Sequence, residues 1–165
     1  MVAGALLLGA TSGLGTLAYW NDVETVSGGT VTAGSLDLTV EGVQGPYTLE
    51  ALQMLNMAPG ESVAAEMTVQ NAGSTPFDLE LTSTGAGALV THAVFTVRVG
   101  GSATSDDSYP RIETCEGGSG SSGRVEPNEF LRVCIAMKLG DSTSPTMQGE
   151  LIVPSFTFTA TQAQP

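Results

Sequence analysis

The sequence has few basic residues. It contains five Lys and Arg against seventeen Asp and Glu, for a formal net charge of -12, and none of the five precedes Arg98. Nucleic acids and anionic membrane surfaces bind proteins through clustered Lys and Arg, so this balance excludes both as expected partners. The acidity instead favours a chain that stays dissolved by self-repulsion.

The sequence has a single histidine, which limits the catalytic chemistry that the chain can carry. The one histidine, His92, has no acidic neighbour in the sequence, and nucleophilic catalysis needs a base beside the nucleophile. The Ser-rich run at residues 117–123 lacks the G-x-S-x-G spacing of a hydrolase elbow. A zinc site needs several His, Cys or carboxylate ligands. We therefore expect no catalytic residue, no zinc site and no enzyme.

A glycine pattern near the N-terminus raises the alternative of a dinucleotide cofactor. Residues 9–15, GATSGLG, match the glycine spacing of short-chain dehydrogenases, and Asp37 lies at a tolerable distance for a ribose ligand. That interpretation also requires a following helix, several βαβ units and a Tyr-x-x-x-Lys motif. The chain has one lysine, Lys138, and residue 134 is a cysteine, so we expect no cofactor.

The first 18 residues are apolar and uncharged. They are interrupted by Gly, Ser and Thr and are barely long enough to span a bilayer, which favours a secretory segment over a stable anchor. The basic n-region of a signal peptide is missing. The small-x-small sequence Thr16-Leu17-Ala18 predicts cleavage before Tyr19. The alternative is an apolar first strand or helix of a cytosolic domain.

The remainder of the chain has the composition and period of β-structure. Val63, Ala65, Met67 and Val69 share one face of a predicted strand with Glu66 and Thr68 on the other, and Gly/Pro turn signals recur at short intervals. No segment has a convincing helical period. The predicted fold is an all-β antiparallel sandwich of seven or eight strands, with strands at residues 36–40, 47–55, 62–70, 77–82, 93–99, 111–115, 130–139 and 150–161.

These patterns divide the chain into four parts. We assign a signal-like segment to residues 1–19, a polar N-terminal arm to residues 20–34, the sandwich to residues 35–161 and a tail to residues 162–165. The arm has high β propensity and no turn that would fold it back as a hairpin. It is therefore a candidate donor strand, in which we expect Trp20 to be the main anchor, together with Val23, Val26 and Val31.

Two patches resemble the TasA/camelysin group of exported bacterial proteins. Residues 15–22, GTLAYWND, and residues 32–38, TAGSLDL, form the first, while Pro59-Gly60-Glu61 and the turn at residues 71–74, NAGS, form the second. Those proteins use a dedicated signal peptidase and form matrix or cell-surface fibres. The resemblance implies a jelly-roll-like topology, cleavage between Tyr19 and Trp20, and assembly into fibres. Camelysin is described as a metalloprotease, but the sequence has too few zinc ligands for us to expect that activity in this protein.

An acidic stretch is a weak candidate for calcium binding. Asp106, Asp107, Glu113 and Glu116 lie around one predicted loop, and Ca²⁺ prefers oxygen ligands. Their spacing matches no known calcium loop, and the alternative is a solvated acidic face.

Cys115 and Cys134 are the only cysteines. In an exported domain we expect them to form a disulfide. In a cytosolic protein they would be two small buried apolar residues.

The residues themselves predict an exported, non-enzymatic β-sandwich. The resemblance implies that it is a secreted structural subunit of an extracellular fibre or biofilm matrix, located in the matrix or on the cell surface. It would assemble with copies of itself, head-to-tail, by donor-strand exchange through the arm. The membrane would be a partner only during export. The alternative is a monomeric exported binding module that uses the polar loops at residues 100–110 and 116–127.

Overall fold

The computed structural model describes residues 34–45, 52 and 57–164. The predicted signal-like segment, most of the arm and most of the predicted strand at residues 47–55 lie outside the described residues. In the described part no helix is long and apolar enough to cross a membrane.

The described residues form antiparallel β-sheets, which confirms the predicted all-β sandwich. The strands are β1 Leu38–Val40, β2 Ser62–Asn71, β3 Phe77–Ala86, β4 Ala93–Val99, β5 Gly101–Ala103, β6 Cys115–Gly117, β7 Ser122–Val125, β8 Phe130–Leu139 and β9 Val153–Gln162. One sheet has the strand order β1-β2-β8-β4, a second has β7-β3-β9, and β5 and β6 form a two-stranded sheet. Two short 3₁₀-helices, Ala88–His92 and Pro145–Met147, connect strands.

The core is built from the alternating residues that the sequence predicted to face inward. Val63, Met67 and Val69 of β2 are 2%, 3% and 0% exposed, and they share one cluster with residues of both main sheets. Full burial of such a side chain stabilises a fold by about 1.5–3 kcal/mol. The two sheets are thus held together chiefly by apolar packing between their inner faces.

The two ends of the sandwich are defined by the strand pairings. At one end the turn at residues 71–75 joins β2 to β3, and Phe77 pairs with Gln162 at the end of β9. We call this the turn end. At the other end, the base end, β2 begins at Ser62, which pairs with Lys138 of β8, and β9 begins at Val153, which pairs with Ala86.

The predicted strand at residues 111–115 is wrong for most of its length. Ile112 forms a single parallel bridge with Ser62, and regular pairing begins only at Cys115. The ladder does not continue because the backbone N–H of Ala64 donates to the Glu113 side chain, at 2.9 Å, instead of to a backbone carbonyl.

Several predicted loops contain short strands. The hairpin β5–β6 and strand β7 take residues from the two polar stretches that the sequence left as loops. At the C-terminus β9 extends to Gln162, and Ala163 is 5% exposed with its N–H donating to the carbonyl of Pro76 at 3.0 Å. Residues 162 and 163 of the predicted tail therefore belong to the folded body.

Candidate assembly surface

The turn at residues 71–74 is held by a buried asparagine. Asn71 is fully buried, and its Nδ2 donates to the carbonyls of Thr75, at 2.8 Å, and Val125, at 3.1 Å. Its Oδ1 accepts a hydrogen bond from the N–H of Gly73 at 2.9 Å. Because Val125 lies in β7, this one amide connects the end of β2 to the opposite sheet.

The same turn binds the segment that follows the predicted arm. The N–H groups of Ala72 and Ser74 donate to the carbonyls of Asp37 and Ser35, each at 2.9 Å. A Cβ on Gly73 would lie 2.3 Å from the Ser35 carbonyl oxygen, so only glycine allows this close approach. The two resembling patches therefore contact each other, and the chain enters the described body at the turn end.

The Pro59-Gly60-Glu61 motif has a comparable structural role at the base end. Gly60 has a φ of 87°, in the left-handed region that favours glycine. Glu61 is 3% exposed, and its carboxylate accepts hydrogen bonds from the N–H groups of Ala58, at 2.7 Å, and Arg111, at 3.1 Å. A buried carboxylate is tolerated here because both oxygens have donors.

Strand β9 is a long sheet edge. It has ten residues and pairs with β3 along one side, and none of the described residues pairs with its other side. Its sequence, VPSFTFTATQ, contains no charged residue and a single proline, Pro154. Natural proteins usually protect such an edge with charges, prolines or bulges, because its free N–H and C=O groups can pair with another chain.

The side chains of β9 show that this edge is incompletely covered. Phe156 and Phe158 are only half-buried, whereas Leu79 and Leu81 of the neighbouring β3 are 1% and 3% exposed. The other described edges are shorter: β1 has three residues, β7 has four, and β4 has seven, including the charged Arg98. Among the described strands, β9 therefore offers the longest uncharged edge.

A cavity of about 690 Å³, with a mixed polar and apolar lining, lies at the base end beside the start of β9. Met57, Leu89, Met137 and Ile152 are among the residues that line it.

The four calcium candidates do not converge in the structure. Asp106 accepts hydrogen bonds from the N–H groups of Ser108, at 2.9 Å, and Ile112, at 3.0 Å, and the bonds from Ser108 are the main reason why its pKa is lowered. Glu113 accepts from Ala64, while Asp107 and Glu116 are exposed. Two of the four carboxylates thus organise backbone, and calcium binding stays a prediction.

The predicted disulfide is present. Cys115 of β6 and Cys134 of β8 are bonded, with a Cα–Cα distance of 5.7 Å, and Cys134 is fully buried. Ala64 and Ala136 pack around it on the outer face of the β1-β2-β8-β4 sheet. The bond therefore attaches the β5–β6 hairpin to that sheet.

Removing this disulfide is expected to lower the free energy of unfolding by roughly 3 kcal/mol, because the unfolded chain regains the freedom of the enclosed loop. Cys115→Ala/Cys134→Ala should show the loss in denaturant titrations. Intact mass after alkylation checks the wild-type chain, which should take up label only after reduction. Two labelled thiols without reductant would contradict the assignment.

The family comparison agrees with the resemblance. The fold and site define an antiparallel sandwich with a buried-asparagine turn and, among the described strands, a long uncharged edge strand. A family model described as camelysin metallo-endopeptidase matches residues 1–85, more than half of the chain, and the protein belongs to this family. A comparison with curated proteins found no match.

The family description implies a metal, and the described residues do not fit one. They contain no group of three or more His, Cys, Asp or Glu side chains placed to hold a metal ion. His92 ends a 3₁₀-helix, and its backbone carbonyl accepts a hydrogen bond from Gly140 at 2.8 Å. No peptidase step is derived from these residues.

Sequence reasoning missed the main feature of this surface. It treated residues 150–161 as an ordinary closing strand, although the absence of charge in VPSFTFTATQ was visible in so acidic a chain. The roles of Asn71 and Glu61 were not visible, because their partners are far away in sequence. The arm residues Trp20, Val23, Val26 and Val31 lie outside the described residues.

Proposed function

We propose that this protein is a secreted, non-catalytic structural subunit of an extracellular fibre or biofilm matrix. Subunits join head-to-tail when the N-terminal arm of one copy adds a strand to the sandwich of the next. The observation that carries this proposal is the uncharged, half-buried edge of β9, with whose outer side none of the described residues pairs. A strand supplied by another chain satisfies the backbone groups of such an edge and covers its side chains.

The arm has the chemistry of a donor strand. Residues 20–32 are rich in Val and Thr, residue types that favour extended structure. Because the donor arm and the acceptor edge are different surfaces, the contact is heterologous and generates an open filament. Trp20 is the expected anchor, since large aromatic side chains contribute most at interfaces.

Family membership and disulfide chemistry support export. The protein belongs to the camelysin family, and its cysteines are paired, as is usual in oxidising compartments. Cleavage within residues 18–20 would release the arm only after export and would keep assembly out of the cytosol.

Electron microscopy of the exported, processed chain tests this function. We expect filaments at concentrations where an unrelated acidic β-sandwich stays monomeric. Monodisperse particles at every concentration would contradict the proposal. Such particles would favour the monomeric binding module. Its two candidate loops, residues 100–110 and 116–127, partly belong to strands β5 and β6 and lie beside the disulfide.

A further inference from the structure

Three methionine side chains line the cavity at the base end. Met57, Met137 and Met147 all belong to its lining, and they are three of the six methionines in the chain. Methionine usually fills irregular gaps in a core, where its flexible thioether packs against apolar neighbours. Here three thioether side chains instead border a cavity of about 690 Å³.

The fold brings the three methionines to this site from separate segments. Met137 of β8 is 2% exposed and lies in the main core cluster, and Met57 packs against the same cluster. The turn after Met57 is fixed to the end of β8, because the N–H of Gly60 donates to the carbonyl of Leu139 at 3.0 Å. Met147 ends the second 3₁₀-helix, which follows β8. Strand pairing and turn geometry thus place residues far apart in sequence around one space.

The rest of the lining lacks the ligands that harder metal ions prefer. None of the described residues around the cavity is a His, a Cys or a basic residue, and Glu150 is the one acidic side chain among them. Zn²⁺ needs several imidazole, thiolate or carboxylate ligands, and Ca²⁺ needs a larger set of oxygen ligands with several carboxylates. A single carboxylate meets neither requirement.

Thioether sulfur is a soft ligand and selects soft metal ions, among them Cu(I). We propose that the cavity at the base end binds one soft monovalent metal ion, Cu⁺ or its chemical analogue Ag⁺, through the sulfur atoms of Met57, Met137 and Met147. This is a binding site and not a peptidase centre, because it offers no His ligand and no carboxylate pair. The inference does not depend on the proposed function.

The charges around the cavity suit one positive charge. The exposed carboxylate of Glu150 lines the cavity and can compensate the charge of a bound cation. Tyr109, which is 81% exposed, also lines it, and the face of an aromatic ring attracts cations. The net charge of -12 raises the local concentration of cations around the whole chain. An anionic ligand would find no basic side chain among the described lining residues.

The methionine side chains can reorient around an ion without any change in the strands. Methionine has three rotatable bonds, so its sulfur atom can take several positions for one backbone position. Met57 and Met147 are half-buried and lie outside the strands, while Met137 is held in β8. Coordination therefore combines one fixed ligand with two that can adjust.

Silver titration of the full chain tests this site. Ag⁺ keeps its oxidation state in buffer, and no cysteine thiol competes for it because both cysteines of the chain are in the disulfide. In chloride-free buffer, calorimetry should show saturable binding of one equivalent that excess Zn²⁺ or Ca²⁺ does not displace. X-ray absorption at the silver edge should show a first shell of sulfur atoms.

A pair of variants assigns the binding to the cavity. Met57→Leu/Met147→Leu removes two of the three ligands at nearly constant side-chain volume, so the fold should be retained. The affinity for Ag⁺ should fall at least about a hundredfold, because loss of outer-shell partners alone costs roughly 10–100-fold. Met67→Leu is the matched control: Met67 is a core residue of β2, 3% exposed, and is not among the described lining residues. This control should bind Ag⁺ like the unmodified chain.

Three results would overturn the proposal. The first is equal affinity for Ag⁺ in the double variant and the unmodified chain, which would place the ion elsewhere. The second is a first shell of oxygen atoms, or displacement of Ag⁺ by Zn²⁺ or Ca²⁺, which would assign the binding to surface carboxylates. The third is the absence of saturable binding. None of these results bears on filament formation, which is measured without added metal.

Discussion

Replacing Asn71 with aspartate is expected to lower the free energy of unfolding by about 4 kcal/mol, because it leaves a buried carboxylate without a cation. The Nδ2 of Asn71 donates to the carbonyls of Thr75 and Val125, and an aspartate oxygen at that place would face two acceptors. Its other oxygen could still accept from Gly73. Two hydrogen bonds are therefore lost, and a negative charge is placed against two carbonyl dipoles.

Denaturant titration of Asn71→Asp and Asn128→Asp measures this effect. Asn128 is exposed, so the same chemical change there should alter the free energy of unfolding by less than about 0.5 kcal/mol. Equal stabilities of the two variants would show that Asn71 does not connect the sheets.

Local alternation made much of the sandwich predictable. Strand β2 was expected at residues 62–70 and is found at Ser62–Asn71, and β8 and β4 occupy the predicted ranges. The stretch at residues 111–115 was mispredicted because a side chain, Glu113, replaces the backbone as the partner of Ala64. Nothing in the sequence near Glu113 indicates that its side chain, rather than a backbone carbonyl, will accept this hydrogen bond.

The candidate surface was only partly predictable. The arm stays a prediction from its β propensity, whereas the disulfide, predicted from the two cysteines of an exported domain, is present. The candidate acceptor edge needed the strand order, because nothing in the sequence indicates that β9 is an outer strand among the described strands of its sheet. The function of the turn at residues 71–74 likewise depends on Val125, 54 residues away from Asn71.

Deleting residues 20–32 is expected to abolish filaments while leaving the body folded. The deletion begins after the predicted cleavage site and ends before Ser35, so it spares the bonds to Ser74. Strand pairing of about nine arm residues at roughly 0.5 kcal/mol each would contribute about 4.5 kcal/mol per contact, which corresponds to about two thousandfold in the critical concentration. A peptide of residues 20–32 should bind the truncated body and raise its melting temperature.

A full-length variant tests whether assembly depends on the sequence of the arm or only on its presence. In an extended arm Val23 and Val31 lie on the face opposite to Asp22 and Glu24, which is the face expected to be buried in the proposed contact. Val23→Asp/Val31→Asp places charges on that face and should prevent assembly. Val26→Asp, on the face that already carries Asp22 and Glu24, should assemble like the unmodified chain.

Electron microscopy of the chain that lacks residues 20–32, beside the processed full chain, tests donor-strand assembly most directly. The account predicts filaments from the full chain and only folded monomers, with a retained cooperative melting transition, from the truncated one. Filaments of unchanged appearance and abundance from the truncated chain would contradict it.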